Sequence, residues 1–345
     1  MLATAVLASA CSSSPAEHPT ATTSAPRGTI TGAGATFPYP LYSKWFDDYH
    51  KRHPDVQINY QSIGSGGGIR QVLAGTVDFG ATDGPMTDEQ LAQANVKILH
   101  FPTVLGAVVP IYNIESVTQE LKFTPAALAG IFAGTVKKWD DPAIAGPNAG
   151  VKLPASDIVV VHRSDASGTT FVWTDYLSKV SDSWLSKIGR STSVNWPVGL
   201  GGKGNEGVSG LVKQTPNAIG YVELVYAVQN QFSYGSVQNA AGSFLKADLA
   251  SVTAAAASAA AIMPDDFRVS ITNAAGANAY PIATFTWLLI PEQIPDAAKG
   301  KTIVDFLGWM LAEGQQMAAP LTYAPLPKEV VAKAQQAIGK IRVGS

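Results

Sequence analysis

Three glycine-bearing turns in this sequence also carry hydroxyl side chains: Gly32-Ala33-Gly34-Ala35-Thr36-Phe37, Gly64-Ser65-Gly66-Gly67-Gly68 and Asp165-Ala166-Ser167-Gly168-Thr169. Each lies between a segment of strand character and a segment of helical character. The helix that follows therefore aims unpaired N–H groups, and the positive end of its dipole, at whatever occupies the turn. Thr36, Ser65, Ser167 and Thr169 add one donatable O–H apiece. The ligand that suits such a set is a tetrahedral oxyanion, whose oxygens take many inward-pointing donors. Three helix ends at about half a charge each, with one arginine, would offset a dianion.

Arg163 is the candidate arginine, since it closes an apolar strand and its planar fork can grip two oxygens at once. Asp165 is placed to orient it; the alternative is an exposed ion pair on a loop. Asp83 ends the strand Val77-Asp78-Phe79-Gly80-Ala81, at the carboxyl edge where open α/β sheets bind ligands. A carboxylate beside an anion makes sense when the ligand carries a proton. Asp83 can accept a hydrogen bond from the proton of hydrogen phosphate or dihydrogen phosphate and can only repel fully ionised sulfate, and sites built around such a bond reject analogues lacking it by roughly 10⁴–10⁵. The competing role is a turn cap before Gly84-Pro85.

Other chemistries lack their residues. No Gly-Lys-Ser/Thr follows the glycines, and no dinucleotide fingerprint follows a strand. Ser65 is no hydrolase nucleophile, because Ile63 stands where the elbow motif needs glycine. His50 and His53 flank Lys51 and Arg52 without a carboxylate partner, the pattern of a solvated helix end and not of a metal pair. Trp139, Trp173, Trp184, Trp196 and Trp287 have no accompanying basic patch and read as packing. A formal net charge of -2 gives no general attraction to nucleic acid. No catalytic residue, metal or cofactor is expected. A binder of another oxyanion (sulfate or molybdate), a phosphate-ester hydrolase and a scaffold without ligand remain the rival readings.

These turns need strands and helices to hold them. The chain has 345 residues, 46% of them hydrophobic, enough for two medium cores. From Thr29 the pattern is strand, glycine turn, helix, repeated, which argues for parallel α/β sheets. Leu41, Trp45, Phe46 and Tyr49 share a helical face that His53-Pro54 ends, and Val56, Ile58 and Tyr60 alternate as a half-buried strand. Residues 64–68 are predicted as a turn before a short helix. Thr87 and Gln90 form a capping box for a helix over 88–94. Strands are predicted at 96–101, 104–112, 158–161 and 280–290, the last three apolar enough to be buried on both faces. An alanine-rich surface helix is predicted over 247–261, and closing helices over 301–314 and 327–340. The glycine-dense loop 199–205 is assigned to structure or to docking on a partner, because no hydroxyl-arginine set accompanies it.

Residues 1–10 are small and apolar and run into Leu7-Ala8-Ser9-Ala10-Cys11, which looks like the end of a bacterial lipoprotein signal with Cys11 as the acylated residue. Cys11 is the single cysteine, so no intramolecular disulfide is possible. Residues 12–27, rich in Ser, Thr, Pro and Ala, read as a flexible tether.

Several blocks occur together and in one order: Thr31 to Pro38, Ile63-Gly64-Ser65, Val77 to Asp83, Arg163 to Thr169, Gly199 to Asn205 and Ile219-Gly220-Tyr221-Val222-Glu223. Through them the chain, from about Thr29 onward, resembles the phosphate-binding proteins (PstS) of bacterial phosphate ABC transporters. The resemblance implies a two-lobed periplasmic-binding-protein fold of type II. Each lobe would be a central, mostly parallel sheet flanked by helices, with the ligand in the cleft between them. It implies a discontinuous first lobe (28–108 and 281–345), a second lobe (109–280), and crossovers near Val108 and Tyr280. The implied phosphate contacts are Thr36, Phe37 through its backbone N–H, Ser65, Asp83, Arg163, Ser167, Gly168 and Thr169, with Asp165 paired to Arg163. The implied partners are inorganic phosphate, the permease subunits of a phosphate ABC importer, and the membrane through the N-terminal lipid. The protein would be a monomer on the outer face of the cytoplasmic membrane. Ala166, His162 and Gly66 depart from the family's commonest residues at those positions.

Overall fold

The computed structural model describes residues 28–260 and 263–344. The expected lipid signal with Cys11 and the tether 12–27 lie outside the described residues.

The first half-sheet begins with β1 (Gly28–Gly34), followed by helix α1 (Tyr39–Arg52), β2 (Val56–Ser62), helix α2 (Ser65–Leu73) and β3 (Phe79–Thr82). β1 lies between β2 and β3, parallel to both. α1 forms because Leu41, Tyr42, Trp45, Phe46 and Tyr49 recur at helical spacing, and all five are buried against the sheet. It ends at Arg52, before His53-Pro54. Gly34 is a glycine by necessity: φ is +148°, and a side chain there would run into the backbone of Ala81 on β3. α2 starts at Ser65, so the glycines 66–68 are its first turn and not a separate turn. They let that turn approach the opposite half of the molecule, where Gly66 N–H donates to Ala166 O at 2.9 Å. The capping box at Thr87 and Gln90 is formed in both directions, although its helix is short, Asp88–Leu91.

The two strands expected at 96–101 and 104–112 are one continuous strand, β4 (Ile98–Asn113). Pro102 breaks the apolar run in sequence, and the structure absorbs it with a register shift opposite Thr286 and Trp287. The second half supplies β5 (Val159–Arg163), helix α3 (Gly168–Val180), β6 (Leu200–Gly202), helix α4 (Gly204–Gln214), β7 (Ala218–Glu223) and the alanine-rich helix α5 (Leu249–Ala260). α5 is not purely a surface helix, because Val252, Ala255, Ala256 and Ala259 are buried. The chain closes with β8 (Ala283–Pro291), α6 (Ala297–Met310) and α7 (Lys328–Ile338).

In sheet order the strands run β2-β1-β3-β8-β4-β7-β5-β6. The outer strands pair parallel, β2-β1-β3 on one side and β7-β5-β6 on the other. The pairings through β8 and β4 are antiparallel, which makes the sheet mixed and joins the halves. β4 changes partner between Ala107, opposite Ala283 on β8, and Val108, opposite Glu223 on β7. The turns singled out in the sequence lie at the carboxyl ends of β1, β2 and β5. Because β4 belongs to both half-sheets, those ends face one another.

Candidate anion-binding site

β3 delivers Asp83 to this meeting point, where only 1% of it is exposed. Thr286 Oγ1 donates to Asp83 Oδ1 at 2.9 Å, and Thr284 Oγ1 donates to the Asp83 carbonyl at 3.2 Å. The Asp83 N–H donates to Ser65 Oγ at 3.3 Å. Asp83 Oδ2 is buried and has no hydrogen-bond partner among the described residues. Burial pushes the carboxyl up to about 7, overcoming the opposing pull of the Thr286 bond, the Arg163 charge and Ser65.

Arg163 ends β5 with its guanidinium buried. Its Nε and Nη2 donate to the two oxygens of Asp165 at 2.8 and 2.6 Å, the bidentate fork expected, and Nη1 donates to Thr169 Oγ1 at 3.1 Å. Asp165 also accepts from Gly204 N–H at 3.0 Å, so the N-terminus of α4 helps to hold it. Burial works to raise the Asp165 carboxyl, but the Arg163 bonds and charge bring it below the usual carboxylate range. Three of the five guanidinium N–H groups are spent on these bonds, which leaves two for a ligand.

α3 begins at Gly168 because Ser167 caps it, its Oγ accepting from Thr170 N–H at 3.1 Å. The N–H groups of Gly168 and Thr169 fall in the first turn, where a helix offers no internal acceptor. A side chain on Gly168 would place its first carbon 2.5 Å from Asp83 Oδ2 and against Ser65 Oγ. Helix start, carboxylate and hydroxyl are thus gathered within a few ångströms. Thr36, Ser65, Ser167 and Thr169 are all buried. Phe37 is fully buried, with its carbonyl taking Tyr323 O–H at 2.6 Å.

Several residues of this site escaped the sequence reading. Asn205, the second residue of α4, donates through Nδ2 to Thr36 Oγ1 at 2.7 Å and to Thr169 Oγ1 at 3.3 Å. Tyr226 O–H lies 2.7 Å from Thr36 O. Glu223 is fully buried, with Oε2 taking Val225 N–H at 2.7 Å and Oε1 unpartnered among the described residues; burial holds its carboxyl well above the usual range. The glycine-dense loop 199–205 therefore feeds the site, and the signal was an amide side chain opening a helix straight after glycines. Among the described residues no group of His, Cys, Asp and Glu could hold a metal ion.

The sequence from residue 19 to 313 matches the model of the PBP superfamily domain. The phosphate-binding protein PstS of Pasteurella multocida (strain Pm70) is 47% identical over 89% of this chain and 89% of its own length. The chain belongs to the PstS family of phosphate-binding proteins. The PstS of Xylella fastidiosa (strain Temecula1) is 48% identical over 88% of this chain and 82% of its own. This is a family of solute-binding proteins, not of enzymes. In fold, the chain is similar to the high affinity periplasmic phosphate-binding protein PfluDING, solved with phosphate, at a TM-score of 0.73 and 22% identity over 90% of this chain and 94% of that one. A Clostridium perfringens protein, also solved with bound phosphate, aligns at a TM-score of 0.63 and 19% identity over 87% of this chain and 100% of that one. The architecture is the two-lobed one that the sequence resemblance implied. Among the described residues no helix is long and apolar enough to cross a membrane.

Proposed function

We propose that this chain captures inorganic phosphate outside the cytoplasm and hands it to a phosphate ABC importer. The observation that carries this reading is Asp83 Oδ2, buried and without a hydrogen-bond partner among the described residues. A buried carboxyl oxygen without a partner costs about 1–3 kcal/mol, and the four surrounding hydroxyls of Thr36, Ser65, Ser167 and Thr169, with one arginine, suit an anion. The two features are compatible when the anion brings a proton to share with Asp83, as hydrogen phosphate does. Thr36, Phe37, Ser65, Arg163, Ser167, Gly168 and Thr169 would supply the donors, with Asp165 orienting Arg163, and no metal or covalent step is needed.

In this reading the lobes, 28–108 with 281–345 and 109–280, close on the ligand. The segment 265–272 would tie them on one flank: Asp265 pairs with Lys333 and Arg268 with Asp88 on one side, while Ser270 and Thr272 donate to Asp175 of α3 on the other. Cys11 would carry the lipid that keeps a monomeric binding protein beside its permease, on the outer face of the cytoplasmic membrane. Isothermal titration tests the core of the proposal: phosphate should give micromolar or tighter binding, about -8 kcal/mol or stronger, and sulfate none. No heat with phosphate, or equal heat with sulfate, refutes it. Mass spectrometry of membrane-extracted protein should find a thioether-linked diacylglycerol on Cys11, and an unmodified mature N-terminus would remove the anchor.

A further inference from the structure

A threonine hydroxyl has two acceptor lone pairs and one proton. Thr36 Oγ1 accepts from Asn205 Nδ2 at 2.7 Å and from Asn205 N–H at 3.3 Å. Thr169 Oγ1 accepts from Arg163 Nη1 at 3.1 Å and from Asn205 Nδ2 at 3.3 Å. Both oxygens thus have their acceptor capacity filled, and neither hydroxyl donates to another described residue. Asn205 cannot reverse its amide to relax this arrangement, because its Oδ1 accepts from Glu223 N–H at 3.0 Å, at the end of β7. That bond assigns oxygen and nitrogen on the side chain and keeps the NH₂ toward the two threonines. Asn205 is wholly buried, so water does not compete for these bonds.

We infer that Asn205 is a positioning residue that fixes the polarity of the site. By filling the lone pairs of Thr36 and Thr169, it leaves each hydroxyl proton only the ligand to donate to. A site whose hydroxyls are locked as donors accepts an anion whose oxygens are acceptors at those two positions, and the one ligand proton is then left to Asp83. This inference rests on phosphate being the ligand.

The test is a double-mutant cycle read by phosphate titration, using wild type, Asn205→Leu, Thr169→Val and the double variant. Thr169 and Asn205 sit on α3 and α4, which serve the same half-sheet, so coupling between them does not require the lobes to close. Each single variant should weaken phosphate binding about tenfold or more, the value of one hydrogen bond to a charged group. The double variant should lose far less than the product, because Asn205 acts on the ligand through Thr169. Losses that multiply to within twofold overturn the inference, as does an Asn205→Leu protein that binds like wild type. If Asn205→Leu lowers the thermal transition markedly, the cycle is run with Asn205→Ala, which removes the Nδ2 donor without adding bulk or charge. A wild type that gives no heat with phosphate removes the phosphate reading and this inference together.

Discussion

Asp83→Asn isolates the one group in the site whose charge state decides both stability and ligand choice. The Asp83 carboxyl is buried and pushed up to about 7, against an ordinary value of 3.8. A raised folded-state value means that its contribution to stability is fully present below about pH 4 and is lost as pH rises through 7. The gap of roughly three pH units is on the order of 4 kcal/mol, an upper bound for a site that relaxes. Asparagine keeps the shape and can still accept from Thr286, but it never ionises. The ligand-free variant should therefore be more stable than wild type at pH 8, with a melting temperature roughly 3–6 °C higher, and should converge with it near pH 4. Binding should move the other way. Without an acceptor for the ligand's proton, phosphate affinity falls, and the phosphate-over-sulfate ratio drops at least about tenfold. Thermal denaturation from pH 4 to 8.5, paired with titration of both anions, checks this. A wild type whose stability relative to Asp83→Asn does not change across that range would refute the burial argument; an unchanged anion ratio would refute the role in selectivity.

In wild type, sulfate should compete with phosphate more strongly as pH falls from 8 to 5.5, because a protonated Asp83 donates to an anion that an ionised one repels; competition titration reads the trend. Gly168→Ala should weaken phosphate binding at least about thirtyfold, since its methyl would lie 2.5 Å from Asp83 Oδ2, and a smaller loss by calorimetry would mean the gap is wider than described. Arg163→Lys keeps the charge but cannot hold both Asp165 oxygens and Thr169 at once, and a loss of about a hundredfold is expected in the same assay. Asp175→Ala removes the buried acceptor of Ser270 and Thr272 and of the Arg190 and Lys179 charges. It should cost about 2–3 kcal/mol in chemical denaturation, and a loss below about 1 kcal/mol would show that the Ser270 and Thr272 bonds carry little of the packing.

The sequence by itself determined the local pieces. Helical spacing at Leu41, Trp45, Phe46 and Tyr49 placed α1, the capping box at Thr87 and Gln90 formed as expected, and the hydroxyls beside glycines marked three helix starts that meet in space. Those features are legible because their causes act within a turn or two of chain. Boundaries shifted where tertiary contacts intervened: α2 begins at Ser65 because its glycines pack against Ala166, and β4 runs unbroken through Pro102 because β8 absorbs the irregularity. Only the tertiary structure decided that Asp83 Oδ2 has no hydrogen-bond partner among the described residues, that Asn205 spans Thr36 and Thr169, and that Glu223 is buried beside them. Thr36 and Asn205 lie 169 residues apart in the chain. Their meeting depends on β4 serving both half-sheets, and no periodicity or spacing carries that information, because burial and hydrogen-bond partners are properties of the assembled fold.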